Sequence, residues 1–416
     1  MTGGVVFAPA LASVSGFAPP LRGAGLTDHL VFDDAALAWE DGLITFAGRR
    51  ADLPLSHEPL ETFHVDGAVI PGFVDCHTHV PFVGWRADEF EARLAGGTYR
   101  DLHTGGGGGI YRSARMLAEA SEDEVLDFCR PFLVEMLEHG TTTLEFKTGY
   151  GLSVEGELRQ ARLARRLADE APQTVTVTLL ACHAIPEQTT RQAWVDDVRR
   201  ELIPAAAREG VVDAVDVYVE DIAFTGEDLE RVAMVAREHR LEVRAHADQL
   251  ASSGAAEVAA RLAVRSADHL NHVSPEGVAV LGASSTMAGL LPVSTMFLGE
   301  HPAPAADLVS AGAGIAIATD FNPGTSPCLS MPEAISVGAA LYRLSVPVLL
   351  AAATLNPAWV LGLHEQLGSL EPGKRADFLV LDVSDPAMVP YRPGHNPVQE
   401  TWIAGRRVAA QPGAEG

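Results

Sequence analysis

Through the middle of the chain, short apolar runs alternate with longer stretches in which apolar residues recur every three or four positions. The runs fall at 69–75, 141–146, 175–180, 214–219, 241–245, 266–270, 287–293 and 315–319. Short, nearly continuous runs of this kind suit strands buried on both faces. The intervening stretches, among them 155–170, 191–208 and 227–237, have the period of amphipathic helices. Strands alternating with helices in this way predict a (β/α)8 barrel, an α/β TIM-like fold, over residues 69–363.

The two ends read differently. Residues 1–68 suggest short strands, the clearest being Leu37-Ala38-Trp39-Glu40 and Leu43-Ile44-Thr45-Phe46 with Asp41-Gly42 between them. An Asp-Gly pair between apolar runs is a strong hairpin signal. Strand-like runs return in 364–416, at Ala376-Asp377-Phe378-Leu379-Val380-Leu381 and Thr401-Trp402-Ile403. Because the ends share this character, 1–68 and 364–416 are expected to form one small β-sandwich domain beside the barrel.

Composition narrows the partners. The 416 residues are 47% apolar and 20% charged, as in a soluble protein with a large core. A formal charge of −25 repels nucleic acid and anionic membranes, and makes an anionic ligand dependent on a local cation. No apolar run is long enough to span a bilayer. The cysteines (Cys76, Cys129, Cys182, Cys328) are too scattered for a disulfide framework or a structural zinc site, and small buried residues suffice to explain them. No Lys or Arg precedes Arg22, so no secretory leader is expected, and the cytoplasm is the expected location.

Candidate chemistry gathers just after the apolar runs. Ile70-Pro71-Gly72-Phe73-Val74-Asp75-Cys76-His77-Thr78-His79 ends in two histidines two positions apart, on one face of an extended chain. Later runs are followed by Lys147 and Tyr150, His183, Glu220, His246, His269 with His272, and Asp320. In such barrels the active site is built at these C-terminal strand ends. Three imidazoles and one carboxylate would suit zinc or ferrous iron and leave a position for water, which the ion could activate against a carbonyl or amidine carbon.

Alternatives stand beside each assignment. His246 could be a core histidine, Asp320 could cap the next helix, and His183 could contact substrate or metal. Asp248 competes as the carboxylate, or could orient a ligand from behind. Lys147 raises the question of a carbamylated lysine bridging two metals, but it ends the second strand, whereas the fourth ends in Glu220. One metal is therefore favoured. The run Gly105–Gly109 follows no strand and lacks the Lys-Ser/Thr of a P-loop, so a lid or loop near the site is the better reading.

Taken together these residues resemble the amidohydrolase superfamily, and more narrowly its branch that opens an imidazolone ring in histidine degradation. The resemblance runs from the Pro-Gly-Phe-Val-Asp-x-His-Thr-His start to Gly368-Ser369-Leu370-Glu371-Pro372-Gly373-Lys374. It includes Glu145-Phe146-Lys147-Thr148-Gly149-Tyr150-Gly151-Leu152, Ala267-Asp268-His269-Leu270-Asn271-His272, and Ala318-Thr319-Asp320-Phe321-Asn322-Pro323-Gly324-Thr325-Ser326-Pro327. What it implies is one Zn or Fe ion on His77, His79, His246 and Asp320. It further implies a substrate surrounded by Arg86, Tyr150, His183, Gln249, Asn322, Gly324 and Thr325.

The implied reaction is hydrolysis of the ring amide of 4-imidazolone-5-propanoate to N-formimidoyl-L-glutamate. Arg86 offers a planar fork for a carboxylate. Some relatives carry Glu where Gln249 stands, and glutamine cannot act as a base. Catalytic proton transfer then falls to Asp320 or His269, with His272 as a further candidate. Pro81-Phe82-Val83-Gly84-Trp85 also departs from the common form before the arginine, which bears on substrate preference. The competing readings are a deaminase of a nucleobase-like ring, which would need no carboxylate anchor, and a non-catalytic scaffold, which would be expected to lose ligands. A small anionic substrate is the expected partner, and a homodimer is left open.

Overall fold

Pro71 and Phe73, two residues apart, belong to different sheets. The structure, a computed structural model, describes residues 3–15, 19–27, 31–54, 61–98, 100 and 108–411. In chain order its strands begin with β1 (Gly3–Ala12), β2 (Val31–Glu40), β3 (Leu43–Arg49), β4 (Glu61–His64) and β5 (Val69–Pro71). There follow β6 (Phe73–Asp75), β7 (Thr141–Lys147), β8 (Thr174–Cys182), β9 (Ala214–Val219) and β10 (Glu242–Ala247). β11 (Ser266–His269), β12 (Met287–Leu290), β13 (Ile315–Ile317), β14 (Phe378–Leu381), β15 (Val398–Ile403) and β16 (Arg406–Ala410) complete the series.

Among the described residues these form two eight-stranded sheets. One is mixed and joins the two ends of the chain in the order β16-β15-β14-β5-β1-β2-β3, with β4 beside β1. The expected pairing of the termini thus takes the form of one continuous mixed sheet. Its junction is β5 against β14, antiparallel, with Ile70 opposite Leu379. Asp41 and Gly42 make the two-residue hairpin between β2 and β3, both at positive φ (49° and 81°), the conformation a tight I′ turn requires. Inside, Trp402 stacks on Phe378 at 5.1 Å and meets Trp39 edge-on at 5.6 Å, so large aromatic faces fill this small core.

The second sheet runs β6 to β13 in sequence order with every pairing parallel. It closes on itself beyond the strand ends, where Thr78 bridges Phe321 and His79 N donates to Phe321 O at 2.9 Å. The result is the expected barrel with helices between its strands. Among the described residues no helix is long and apolar enough to cross a membrane.

Local differences from the sequence pattern have local causes. The run at 69–75 is two strands, because Gly72 carries the chain from the mixed sheet into the barrel. A Cβ there would come within 2.2 Å of Thr142 Oγ1, so no side chain fits the crossing. The strand expected over 287–293 stops at Leu290, and Pro292 opens the helix Pro292–Leu298. The helix expected over 191–208 is Arg191–Asp197 and Ile203–Glu209 joined by a π turn at Val198–Leu202. Pro204 lacks the amide that would continue the ladder, which accounts for the interruption.

Candidate active site

β6 ends at Asp75, and the next residues carry His77 and His79 into the barrel mouth, both buried. His77 Nδ1 donates to Asp268 Oδ2 at 2.7 Å, leaving its buried Nε2 without a hydrogen-bond partner. His246, near the end of β10, also has a carboxylate beside its Nδ1, close to it but out of hydrogen-bonding geometry. Its Nδ1 lies 3.1 Å from Asp216 Oδ2, and its Nε2 is likewise buried and unpartnered. Across the mouth, Asp320 Oδ1 lies 3.1 Å from His79 Nε2 and 3.5 Å from His77 Nε2. Asp320 caps nothing, since the next helix, Met331–Tyr342, takes Ser330 as its N-cap.

Two donor groups result among the described residues, His77 with His79 and Asp320, and His77 with His246 and His269. Within each, the donor atoms lie within 4.8 Å of one another. His77 is common to both, so the groups form one cluster. Burial holds the imidazoles of His77 and His79 below their usual range and takes His269 down to about 3. These rings are therefore neutral near pH 7, the form that ligates a metal. For Asp320 burial pushes the carboxyl up, but the hydrogen bond with His79, the charges of His79 and His269 and a hydrogen bond with Ser294 together outweigh it and hold the group below the usual range. His269 (φ 80°) and Asp320 (φ 55°) both occupy the left-handed region, a backbone cost of about 1–3 kcal/mol each that is characteristic of functional sites.

The donor set fits a divalent cation. Lone imidazole nitrogens aimed into a buried space, each fixed from behind by a carboxylate, are the ordinary anatomy of a metal site. The buried charges agree. Glu145, Asp216, Asp268 and Asp320 face only Lys147 and Arg244 in this cluster, a formal excess that one divalent ion neutralises. Asp75 adds less than a full charge to that excess, because burial pushes its carboxyl up to about 7.

The cluster opens into a pocket that is also lined by Arg86, Tyr150, His183, Gln249, Asn322 and Thr325. Arg86 is buried, and its Nε and Nη1 have no hydrogen-bond partner. The nearest carboxylate, Glu89 Oε2, stands 3.7 Å from Nε. Gly324 packs flat against this guanidinium, and a Cβ there would sit 1.7 Å from Nη2. Asn322 Oδ1 accepts from the amides of Gly324 and Thr325 at 2.9 and 2.7 Å, so it shapes the turn that backs Arg86.

Tyr150 sits on a loop held from below. Buried Glu157 accepts from the amides of Gly149, Gly151 and Leu152, while Gln160 Oε1 accepts from those of Gly149 and Tyr150. Gln160 Nε2 then donates to Pro81 O at 2.8 Å, tying this loop to the segment that leads to Arg86. His183 Nδ1 donates to Gly149 O at 3.1 Å, leaving Nε2 as an acceptor, and the ring stacks on His79 at 5.2 Å. His183 belongs to neither donor group, which favours a substrate contact over a ligand.

Some candidates lie elsewhere. His272 pairs with Glu300 at 3.1 Å and does not line the pocket. Asp248 accepts from the amides of Ser253, Ala255 and Ala256, and so holds a loop and a helix start instead of orienting a ligand. Glu220 supports the Gln249 loop by accepting from Leu250 N at 3.0 Å. Of the glycine run, 105–107 lie outside the described residues, and Gly109 N donates to Glu89.

Sequence reasoning passed over Ile110 and Tyr218 in the pocket wall, and Asp216, Asp268, Glu157 and Gln160 behind it. A signal was present for Asp216, an acid within the apolar run Ala214-Val215-Asp216-Val217-Tyr218-Val219, since carboxylates are rarely buried without a partner.

The chain is similar to known proteins along nearly its whole length. A profile of the Amidohydrolase family matches residues 68–408. An imidazolonepropionase of Rhizorhabdus wittichii is 43% identical over 372 residues, 88% of this chain and 93% of that one. Another, from Methylobacterium nodulans, is 42% identical over 377 residues, 90% and 94% of the two chains. Among solved structures, an adenosine deaminase from Xanthomonas campestris with bound zinc superposes with a TM-score of 0.72 at 19% identity, covering 99% of this chain and 93% of that one. A triazine hydrolase variant reaches 0.76 at 16% identity over 98% and 95%. At these identities the solved structures speak for the fold alone. With the family profile and the long matches above, the chain belongs to the amidohydrolase family and, within it, to the imidazolonepropionases.

Proposed function

We propose that this pocket hydrolyses the ring amide of 4-imidazolone-5-propanoate to N-formimidoyl-L-glutamate, using one zinc or iron ion held by His77, His79, His246 and Asp320. The observation that carries the reading is a buried guanidinium, Arg86, with unpartnered nitrogens beside a histidine–carboxylate cluster. Such a group in a chain of net charge −25 marks the place of an anion. When bound, the ion polarises the ring carbonyl and acidifies water.

The chain's own groups supply the rest. Arg86, with Tyr150 nearby, takes the propionate carboxylate, and His183 meets the ring. In the hydrolysis the oxygen of water bonds to the carbonyl carbon, the ring C–N bond breaks, and the leaving nitrogen gains a proton. Asp320 and His269 are the proton carriers, and the Gln249 amide contributes hydrogen bonds without acting as a base. The paired ammonium of Lys147, described below, supports one ion over a bridged pair. Free cysteines far apart support a reducing, cytoplasmic setting.

Elemental analysis of purified protein alongside turnover of imidazolone propionate tests the proposal. One metal per chain with ring opening is expected. Full metal occupancy without turnover, or release of ammonia from a nucleobase-like ring in its place, would replace this reading with that of a scaffold or a deaminase.

A further inference from the structure

We infer that Lys147 is a positioning residue of the metal centre: its ammonium fixes Asp216 so that His246 presents Nε2 to the ion. Lys147 ends β7 and is fully buried. Its Nζ donates to Asp216 Oδ2 at 2.7 Å and lies 2.9 Å from Glu145 Oε2. The same Asp216 oxygen stands 3.1 Å from His246 Nδ1. One carboxylate oxygen is thus shared between an ammonium and an imidazole. Tethered by the ammonium, that oxygen stays beside the ring, where it favours the proton on Nδ1 and the lone pair on Nε2.

The opposite side of the network is closed as well. Arg244 pairs with Glu145, which also accepts from Thr178, and Arg244 Nη1 donates to Cys76 O at 2.8 Å, beside His77. Lys147 is therefore braced through Glu145 and transmits that rigidity to Asp216. Burial works against both charges, lowering the lysine and raising the acid. At the lysine the combined attraction of Asp216 and Glu145 outweighs burial, and at Asp216 the combined pull of His246 and Lys147 does, so the ammonium is held above its ordinary range and Asp216 below. Two carboxylates at these distances require a cation. A carbamylated Lys147 would place a third negative group against them, so this lysine braces a ligand and does not bridge two metals.

The inference rests on His246 being a ligand, and the test separates the two claims. Zinc affinity of metal-free protein is measured by competition with a chromophoric chelator for wild type, Lys147→Met, Asp216→Asn, the double variant and His246→Ala. Lys147→Met and Asp216→Asn are each expected to weaken zinc binding about 10- to 100-fold, with a changed visible spectrum of the cobalt-loaded protein. The double variant is expected to match Asp216→Asn alone, because the lysine acts through that acid.

If Lys147→Met fails to fold with Asp216 left unpaired, the double variant, which removes both charges, carries the test. It should fold and still bind zinc 10- to 100-fold more weakly than wild type. Unchanged affinity in Lys147→Met, additive losses in the double variant, or wild-type affinity when only the double variant folds would overturn the inference. Unchanged affinity in His246→Ala would instead overturn the ligand assignment itself.

Discussion

Asp320 N donates to the carbonyl oxygen of His77 at 3.0 Å, joining the first and last members of the candidate ligand set through their backbones. The same seam closes the barrel. An ion drawn to both side chains therefore also fastens the sheet, and stability should depend on it. Free zinc at a thousand times its Kd would add about 4 kcal/mol. Chelation is expected to lower Tm by several degrees, with recovery on adding zinc, and Asp320→Ala should abolish that response. A Tm indifferent to chelator would mean that the seam holds without metal.

Arg86 is expected to anchor the propionate. A hydrogen bond to a charged group is worth roughly 1.5–3 kcal/mol, so Arg86→Gln should raise KM for imidazolone propionate about ten- to a hundredfold. Against an analogue whose carboxylate is a neutral amide the variant should lose little. Equal losses for both compounds would move Arg86 from substrate recognition to support of the fold.

His269 shares a donor group with His77 and His246, so its role needs an experiment that separates ligand from proton carrier. As a carrier, His269→Ala should keep its metal and lose about a hundred- to ten-thousandfold in kcat. Loss of metal from that variant would make His269 a ligand, and unchanged kcat would remove it from the mechanism.

Cys328 gives a pH test away from the centre. Burial pushes its thiol up to about 11, so the reactive thiolate is scarce at neutral pH and accumulates only as pH rises toward that value. Alkylation by iodoacetamide in the native protein should stay slow through pH 9 and accelerate above pH 10, whereas unfolded protein should react near its ordinary thiol pKa. Rapid labelling of native protein at pH 8 would contradict this.

The barrel was legible because its strands are buried on both faces and its helices on one, two periods that differ along a single chain. The strand-end histidines and Asp320 were legible for the same reason, as polar residues where apolar runs stop. Asp268 and Asp216 were not, because they act on rings far away in sequence. His77 and Asp268 stand 191 positions apart. Nor did periodicity distinguish β5 from β6, since only the space beside Thr142 shows that the chain changes sheets at Gly72. The glutamate under the Tyr150 loop escaped notice because it sits on the helix Val154–Glu170, where an acid near the start is unremarkable.

The pairing of β5 with β14 also has a consequence in time. Val69–Pro71 leaves the ribosome about 300 residues before the strand that will lie against it. At 5–20 residues per second that is a wait of about 15 to 60 s. Through that interval the nascent chain carries an open sheet edge, a template for pairing with other chains. The mixed sheet can therefore be completed only after β14 has emerged, and crowded synthesis is a condition under which that open edge is exposed to other chains.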